Sequence, residues 1–391
     1  MLVSTALILL TGLVVGRFFQ QLTLPRLLGY LITGIILGPY VLNALSSDFL
    51  SLSKDIRQIA LIVILTRAGL TLDLKSLKKA GRISFLMCFL PASVEILACL
   101  IFAPLLLDFS LPQSLLLGAI LGAVSPAVVV PRMIQLNQAG YGKLNHIPQI
   151  ILAGSSIDDV FVLVVFAAAV GLNQGQDFSL MTLGQVPLAI VTGAIFGALL
   201  ATSLSWLFNN FPTRPLVKVL TLLSFSFLLM ALENVLKAYL PFSGMLAVMS
   251  MALFMGRQDD KNLPQLTHLY GQLWVACELF LFAFVGTETN IQFALSNGFK
   301  PLLLMIVALA CRMIGVYLCL LGSPLQLKEK LFTMVAYCPK ATVQAAIGSI
   351  PLSLGLKGGD IMLSIAVLAI LLTAPIGAFA IDRLAPICLD K

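Results

Sequence analysis

The stretch "GAVSPAVVVP", Gly122–Pro131, interrupts an otherwise continuous apolar run, and "YCPKATVQAAIG", Tyr337–Gly348, interrupts another. Proline has no backbone N–H and pushes the residue before it out of the helical region. Both runs are therefore expected to break, near Pro126 and near Pro339. At the first break the carbonyl and hydroxyl of Ser125 become free to turn inward. At the second, Lys340 follows the proline directly and can offset the partial negative charge of a half-helix end. A single proline kink is common. A matched pair is less so, and whether these two match depends on how the rest of the chain is laid out.

The chain has 391 residues, of which 59% are hydrophobic and 10% charged. Its mean hydropathy is +1.03. A soluble domain is usually about 25% charged, so this is the composition of an integral membrane protein. Helix-length apolar runs exclude an outer-membrane barrel, whose strands are about 10 alternating residues. The formal net charge of +7 is expected to reflect basic loops at the membrane face, with no nucleic-acid partner. Seven cysteines fall in no CxxC or zinc spacing and read as small buried hydrophobes. "LVSTALILLTGLVVG", from Leu2, reads as a first span because it lacks the basic flank and cleavage site of a signal peptide.

Apolar segments fall at 2–19, 25–45, 56–72, 83–107, 111–136, 147–172, 181–208, 215–236, 238–256, 267–286, 301–322, 331–351 and 361–381. These are read as thirteen transmembrane helices, each near the ~20 residues that a span needs. With the N-terminus outside, inner loops and tail hold 16 Lys and Arg against 5 in the outer loops, while Arg67, Arg312 and Lys340 lie within spans. That asymmetry is the positive-inside rule. Thirteen spans divide into six, a linker and six, which makes the halves inverted repeats. The two proline-broken spans then occupy the same slot, fifth in each half. Matched interruptions of this kind point to a transporter binding site.

The polar residues inside the spans lie at one depth. Glu95 is at the centre of 83–107, Ser125 and Pro126 of 111–136, Asp159 of 147–172, Arg312 of 301–322 and Lys340 of 331–351. An ionised side chain at mid-bilayer costs about 2.5–3.5 kcal/mol on insertion scales. Glu95, Asp158, Asp159, Arg312 and Lys340 must therefore face one another or water. Glu95 and Arg312 sit in corresponding slots with opposite charge and are expected to form an ion pair. Adjacent residues on a helix point about 100° apart, so Asp158 and Asp159 do not face the same line. One of them, with Ser155 one turn earlier, would face the cavity while the other meets a base. Carboxylate, hydroxyl and carbonyl oxygens suit hard cations. Two carboxylates this close titrate as a coupled pair, and one that can hold either a proton or a cation supports exchange by competition.

These motifs resemble the monovalent cation:proton antiporter superfamily, and its NHA branch in particular. The resemblance covers most of the chain. It is sharpest in "GAVSPAVVVPRM" (122–133), "AGSSIDDVFV" (153–162) and "LKEKLFTMVAYCPKATVQAAIG" (327–348), and weaker in "TRAGLTLD" (66–73). It implies an exchanger of Na+ or Li+ for H+ working by alternating access, with no cofactor and no enzymatic activity. It also implies a homodimer in contact with membrane lipids, in a plasma membrane of the bacterial inner-membrane type, with the C-terminus cytoplasmic. Residues 1–82 and 215–300 would form the dimerisation domain, 83–172 and 301–391 the core, and 181–208 the linker helix. The two crossed, partly unwound helices would meet near Ser125, Pro126 and Lys340–Thr342. Asp159 falls on the cation-binding aspartate and Asp158 on its variable neighbour. Arg312 falls where many bacterial relatives carry a lysine. With Glu95 as the partner of Arg312, Lys340 would be the nearer base for the aspartates.

Other readings fit less of the sequence. A sodium-coupled solute symporter needs a larger pocket and a solute, and a channel would show flux without saturation or counter-ion dependence. An intramembrane aspartyl protease needs its aspartates on two helices in YD and GxGD contexts. This chain has no YD, and "KGGD" (357–360) fails the glycine spacing.

Overall fold

A computed structural model describes residues 1–71, 81–142, 144–173, 180–211, 213–236, 240–258, 263–290 and 299–390. Asp73 and the loop bases Lys75, Lys78, Lys79, Lys143, Lys237, Lys261 and Lys391, part of the charge count above, lie outside these residues. Among the described residues every regular element is a helix. Eight helical stretches among the described residues are long and apolar enough to cross a membrane by length and composition, and shorter apolar helices lie at Arg26–Leu37 and Gly244–Arg257 among others.

The chain divides into two compact units. The first contains Met1–Lys54, Leu74–Asn173 and Leu279–Lys391. It opens with α1 (Leu2–Gln21) packed on α2 (Arg26–Leu37), followed by the short α3 (Ser47–Ser51). Gly38 and Pro39 end α2 well before the apolar segment does, because Gly38 leaves the helix in an extended conformation. Glycines set the spacing here. A Cβ on Gly29 would lie 2.7 Å from the Gly16 Cα, and one on Gly34 would overlap the Ala283 carbonyl. Small residues at such crossings let backbones approach closely, the usual way helices associate in lipid. Leu10 and Val14 on α1 are 67% and 70% exposed, which suits a lipid-facing surface.

The helices that carry the buried charges belong to this same unit. They are α5 (Gly81–Met87), α6 (Leu90–Leu107), α7 (Leu111–Leu121), α8 (Pro126–Ala139) and α9 (Ile147–Asn173), then α14 (Lys300–Cys319), α15 (Leu327–Ala336), α16 (Thr342–Ile347), α17 (Ile350–Ser353) and α18 (Gly359–Cys388). α6 packs on α14 and α7, α9 packs on α7 and α8, and α15 packs on α18. α7 and α8 follow one another within Leu111–Ala139, a stretch long and apolar enough to cross a membrane, and residues 337–341 separate α15 from α16.

The second unit holds Asp55–Asp73 and Gln174–Glu278. The greater part of α4 (Ser53–Thr71) lies in it, with α10 (Leu180–Asn210), α11 (Pro215–Leu236), α12 (Gly244–Gln258) and most of α13 (Leu263–Glu288). α10 packs along α12, where Gly193 and Gly197 meet the Ser243 and Ala247 carbonyls so closely that neither position has room for a Cβ.

One break differs from expectation. Segment 83–107 falls in one span-length stretch, Gly81–Leu107, but its helix stops at Met87 and resumes at Leu90. Pro91 explains this: its missing N–H leaves the Met87 carbonyl without the donor four residues on. That carbonyl instead accepts the Tyr337 hydroxyl at 2.9 Å.

Candidate functional site: a buried charge network at two broken helices

The first break can be followed atom by atom. In an intact helix the carbonyls of Ile120, Leu121 and Gly122 would accept from the N–H groups of residues 124, 125 and 126. None of those donors is available to them. The Val124 N–H donates to Asp158 Oδ2 at 2.8 Å, the Ser125 N–H donates to the Pro339 carbonyl at 2.7 Å, and Pro126 has none. The freed carbonyls are served from the other half of the chain. Lys340 Nζ donates to Leu121 O at 2.6 Å, and Arg312 Nη1 donates to Gly122 O. Gln344 Nε2 lies 3.2 Å from Ile120 O, 3.4 Å from Leu121 O and 3.0 Å from Ala123 O. Non-helical backbone at membrane depth persists only where it is satisfied in this way. The α7 end carries partial negative charge and meets two cations, the favourable polarity for a helix C-terminus.

The second break is tied to the first by the Ser125–Pro339 bond and to α18 by the Lys340 N–H, which donates to Thr373 Oγ1 at 2.8 Å. Gly377 on α18 lies so near the Pro339 ring that a Cβ there would collide with it.

Four charged side chains form one network. Arg312 Nη1 lies 2.9 Å from Glu95 Oε2, and Arg312 Nη2 lies 2.8 Å from Asp158 Oδ2. Arg312 Nε donates to the Tyr337 carbonyl at 2.8 Å, and its guanidinium sits 5.1 Å from the Tyr337 ring centroid. Lys340 Nζ lies 2.6 Å from Glu95 Oε2. Glu95, Asp158, Arg312 and Lys340 are each at most 1% exposed. Buried charges persist only when paired and hydrogen-bonded, and here two acids meet two bases.

The division of partners departs from the sequence expectation. Lys340 does not serve the aspartates; it binds Glu95, and Arg312 is the base on Asp158. The guanidinium explains the difference. It carries five N–H donors in a planar fork, so one arginine reaches both Glu95 and Asp158 while still satisfying two carbonyls.

Asp159 stands apart from this pairing. It has no ion-pair partner among the described residues, and its buried Oδ1 has no hydrogen-bond partner there. The same holds for Asp158 Oδ1, Ser125 Oγ and Thr342 Oγ1. The Ser155 hydroxyl turns back to donate to Leu152 O at 3.2 Å, leaving only its lone pairs for a ligand. The unpartnered buried oxygens on these segments are carboxylate, hydroxyl and, as at Gln344 Oε1, amide oxygens. Hard cations prefer such oxygens. The sequence singled out Glu95, Ser125, Pro126, Ser155, Asp158, Asp159, Arg312, Lys340 and Thr342, but not Tyr337, Gln344 or Thr373. Those three fasten the breaks through neutral hydrogen bonds, which leave no mark in hydropathy or charge.

Comparison with known proteins follows the same lines. Residues 5–385 match the family described as sodium/hydrogen exchanger, transmembrane. Sodium/hydrogen exchanger 9B2 of Mus musculus is 32% identical over 382 residues, covering 94% of this chain and 69% of the relative. The Homo sapiens 9B2 protein is likewise 32% identical, covering 94% and 70%. Sodium/hydrogen exchanger 9B1 of Homo sapiens is 30% identical, covering 94% and 73%. The sodium proton antiporter MjNhaP1 from Methanocaldococcus jannaschii shares the fold, with a TM-score of 0.82 at 24% identity over 99% of this chain and 98% of that one.

Proposed function

This chain belongs to the sodium/hydrogen exchanger family, within the NHA branch of the cation:proton antiporters, and from that membership we propose that it exchanges Na+ or Li+ for H+ by alternating access. It is a multi-pass membrane protein. We read its long, short and interrupted helices as thirteen spans with the N-terminus outside. Residues 83–172 and 301–391 form the moving core, and the protein works as a homodimer.

One observation carries the reading. Glu95 and Asp158 are neutralised by Arg312 and Lys340 within one network, and Asp159 is the carboxylate left over. Empty and ionised, the site holds one uncompensated negative charge. Loaded with a proton or an alkali cation, it is neutral. A bare charge is expensive at membrane depth, so the core crosses between its two facing states only when Asp159 is loaded. Cation and proton compete for that carboxylate, and each carries the core in one direction. Ser125, Ser155 and Thr342 supply neutral oxygens to a dehydrated cation. Asp158, held by Arg312 and the Val124 N–H, sets the local field.

The test is a proteoliposome assay with a trapped pH dye, run across Na+, Li+ and K+, with and without an imposed membrane potential. Saturable proton movement driven by Na+ or Li+ is expected. Na+ uptake that appears only when a solute is added would replace this reading with sodium-coupled symport.

A further inference from the structure

Four consecutive buried carbonyls, Ile120 to Ala123, are freed from helical hydrogen bonds by the break before Pro126. Two of them take a charged donor, Leu121 from Lys340 and Gly122 from Arg312. Ile120 and Ala123 take theirs from Gln344 alone among the side chains described, and Leu121 shares it. Gln344 is fully buried. Three carbonyl oxygens surround its Nε2, which fixes the amide's orientation, since Oε1 in that place would face acceptors only. The Gln344 side chain thus spans the gap from α16 to the end of α7 without carrying a charge.

The consequence lies in what the neighbouring bases are free to do. Lys340 and Arg312 each divide their N–H groups between carbonyls of α7 and carboxylates. A buried carbonyl without a donor draws on whichever N–H is within reach. Remove the Gln344 amide, and Ile120 and Ala123 compete with Glu95 and Asp158 for these two cations. The geometry points to Gln344 as a positioning residue for cation exchange: by satisfying the α7 carbonyls with a neutral donor, it leaves Arg312 and Lys340 on the carboxylates and so sets cation affinity at the aspartates.

This inference rests on the exchange reading above, so wild-type protein and Asp159→Asn are assayed in the same liposomes. If wild-type protein shows no exchange, the exchange reading itself fails. Given wild-type exchange that Asp159→Asn abolishes, Gln344→Met tests the inference, since it keeps the length of the side chain and removes the amide. The half-saturating Na+ concentration is expected to rise at least fivefold, read separately from maximal rate and from the amount of folded protein. Gln344→Glu keeps the length and, as the buried neutral acid, one donor; its half-saturation is expected to fall between wild type and Gln344→Met. Gln344→Met with an unchanged half-saturating Na+ and only a lower rate or yield would overturn the inference. So would Gln344→Met that purifies only as aggregate beside Gln344→Glu with wild-type half-saturation. If Gln344→Met aggregates while Gln344→Glu shows a raised half-saturation, the inference stands.

Discussion

Arg312 and Asp158 meet at 2.8 Å with neither side chain exposed, and the same guanidinium holds Glu95 at 2.9 Å. One arginine therefore joins the helix carrying the aspartates to the helix carrying Glu95, and Lys340 closes the network from the segment between α15 and α16. Removing one member of a buried ion pair leaves its partner uncompensated, typically at about 3–5 kcal/mol. The members of this network differ in how many partners each would abandon.

Glu95 serves two bases, and Lys340 serves one acid that Arg312 also holds. Glu95→Gln is thus expected to destabilise more than Lys340→Met, by about 2 kcal/mol or more, because it leaves Lys340 with no acid partner and Arg312 with Asp158 alone. Thermal melts of the two purified variants in detergent check the order.

Arg312→Lys keeps the charge but loses the fork. An ammonium cannot reach Glu95, Asp158, the Gly122 carbonyl and the Tyr337 carbonyl together. The variant is expected to lose about 3 kcal/mol or more of stability and to exchange more slowly than wild type. Its melting temperature and initial exchange rate report the two effects.

Helix packing supplies an independent prediction. Gly34 lies directly against the Ala283 backbone, so Gly34→Ala forces α2 and α13 apart. Overpacking usually costs about 1–3 kcal/mol, and backbone cannot yield as a flexible side chain can. A loss of at least about 2 kcal/mol is expected, seen as reduced yield and a lower melting temperature. Gly271, which has open space around its Cβ position, is the matched control and should tolerate alanine.

Competition for one carboxylate fixes the sign of the pH dependence. Protons displace the cation as pH falls, so the half-saturating Na+ concentration should rise toward acid, by up to about tenfold per pH unit for one-for-one exchange by mass action. Maximal rate at saturating Na+ should fall less. A half-saturating Na+ concentration independent of pH would argue for separate sites.

Much of this site is legible in the sequence because it rests on prolines and charges. Pro126 and Pro339 announce their breaks through the missing N–H, and Glu95, Asp158, Asp159, Arg312 and Lys340 stand out against an apolar background. Pro91 carries the same signal as Pro126 and was harder to read. A proline in the first turn of a helix is ordinary, and nothing near Cys88 or Phe89 marks that a helix starts again. The Glu95–Arg312 pair was legible from corresponding slots of opposite charge; which base meets Asp158 was not, because it depends on how far a guanidinium on α14 reaches compared with an ammonium beside α16. Gln344 and Tyr337 left no trace in composition. Their contribution is to satisfy backbone carbonyls, a need visible only once the broken helices lie against each other.

Asp159→Asn tests the central claim most directly, in proteoliposomes with a trapped pH dye and a Na+ gradient. Asparagine fills the same space and cannot alternate between proton and cation. Because Asp159 belongs to no ion pair among the described residues, the variant should purify and melt like wild type. The account predicts folded protein with no Na+-driven proton movement above protein-free liposomes. Exchange of wild-type size in folded Asp159→Asn would contradict it.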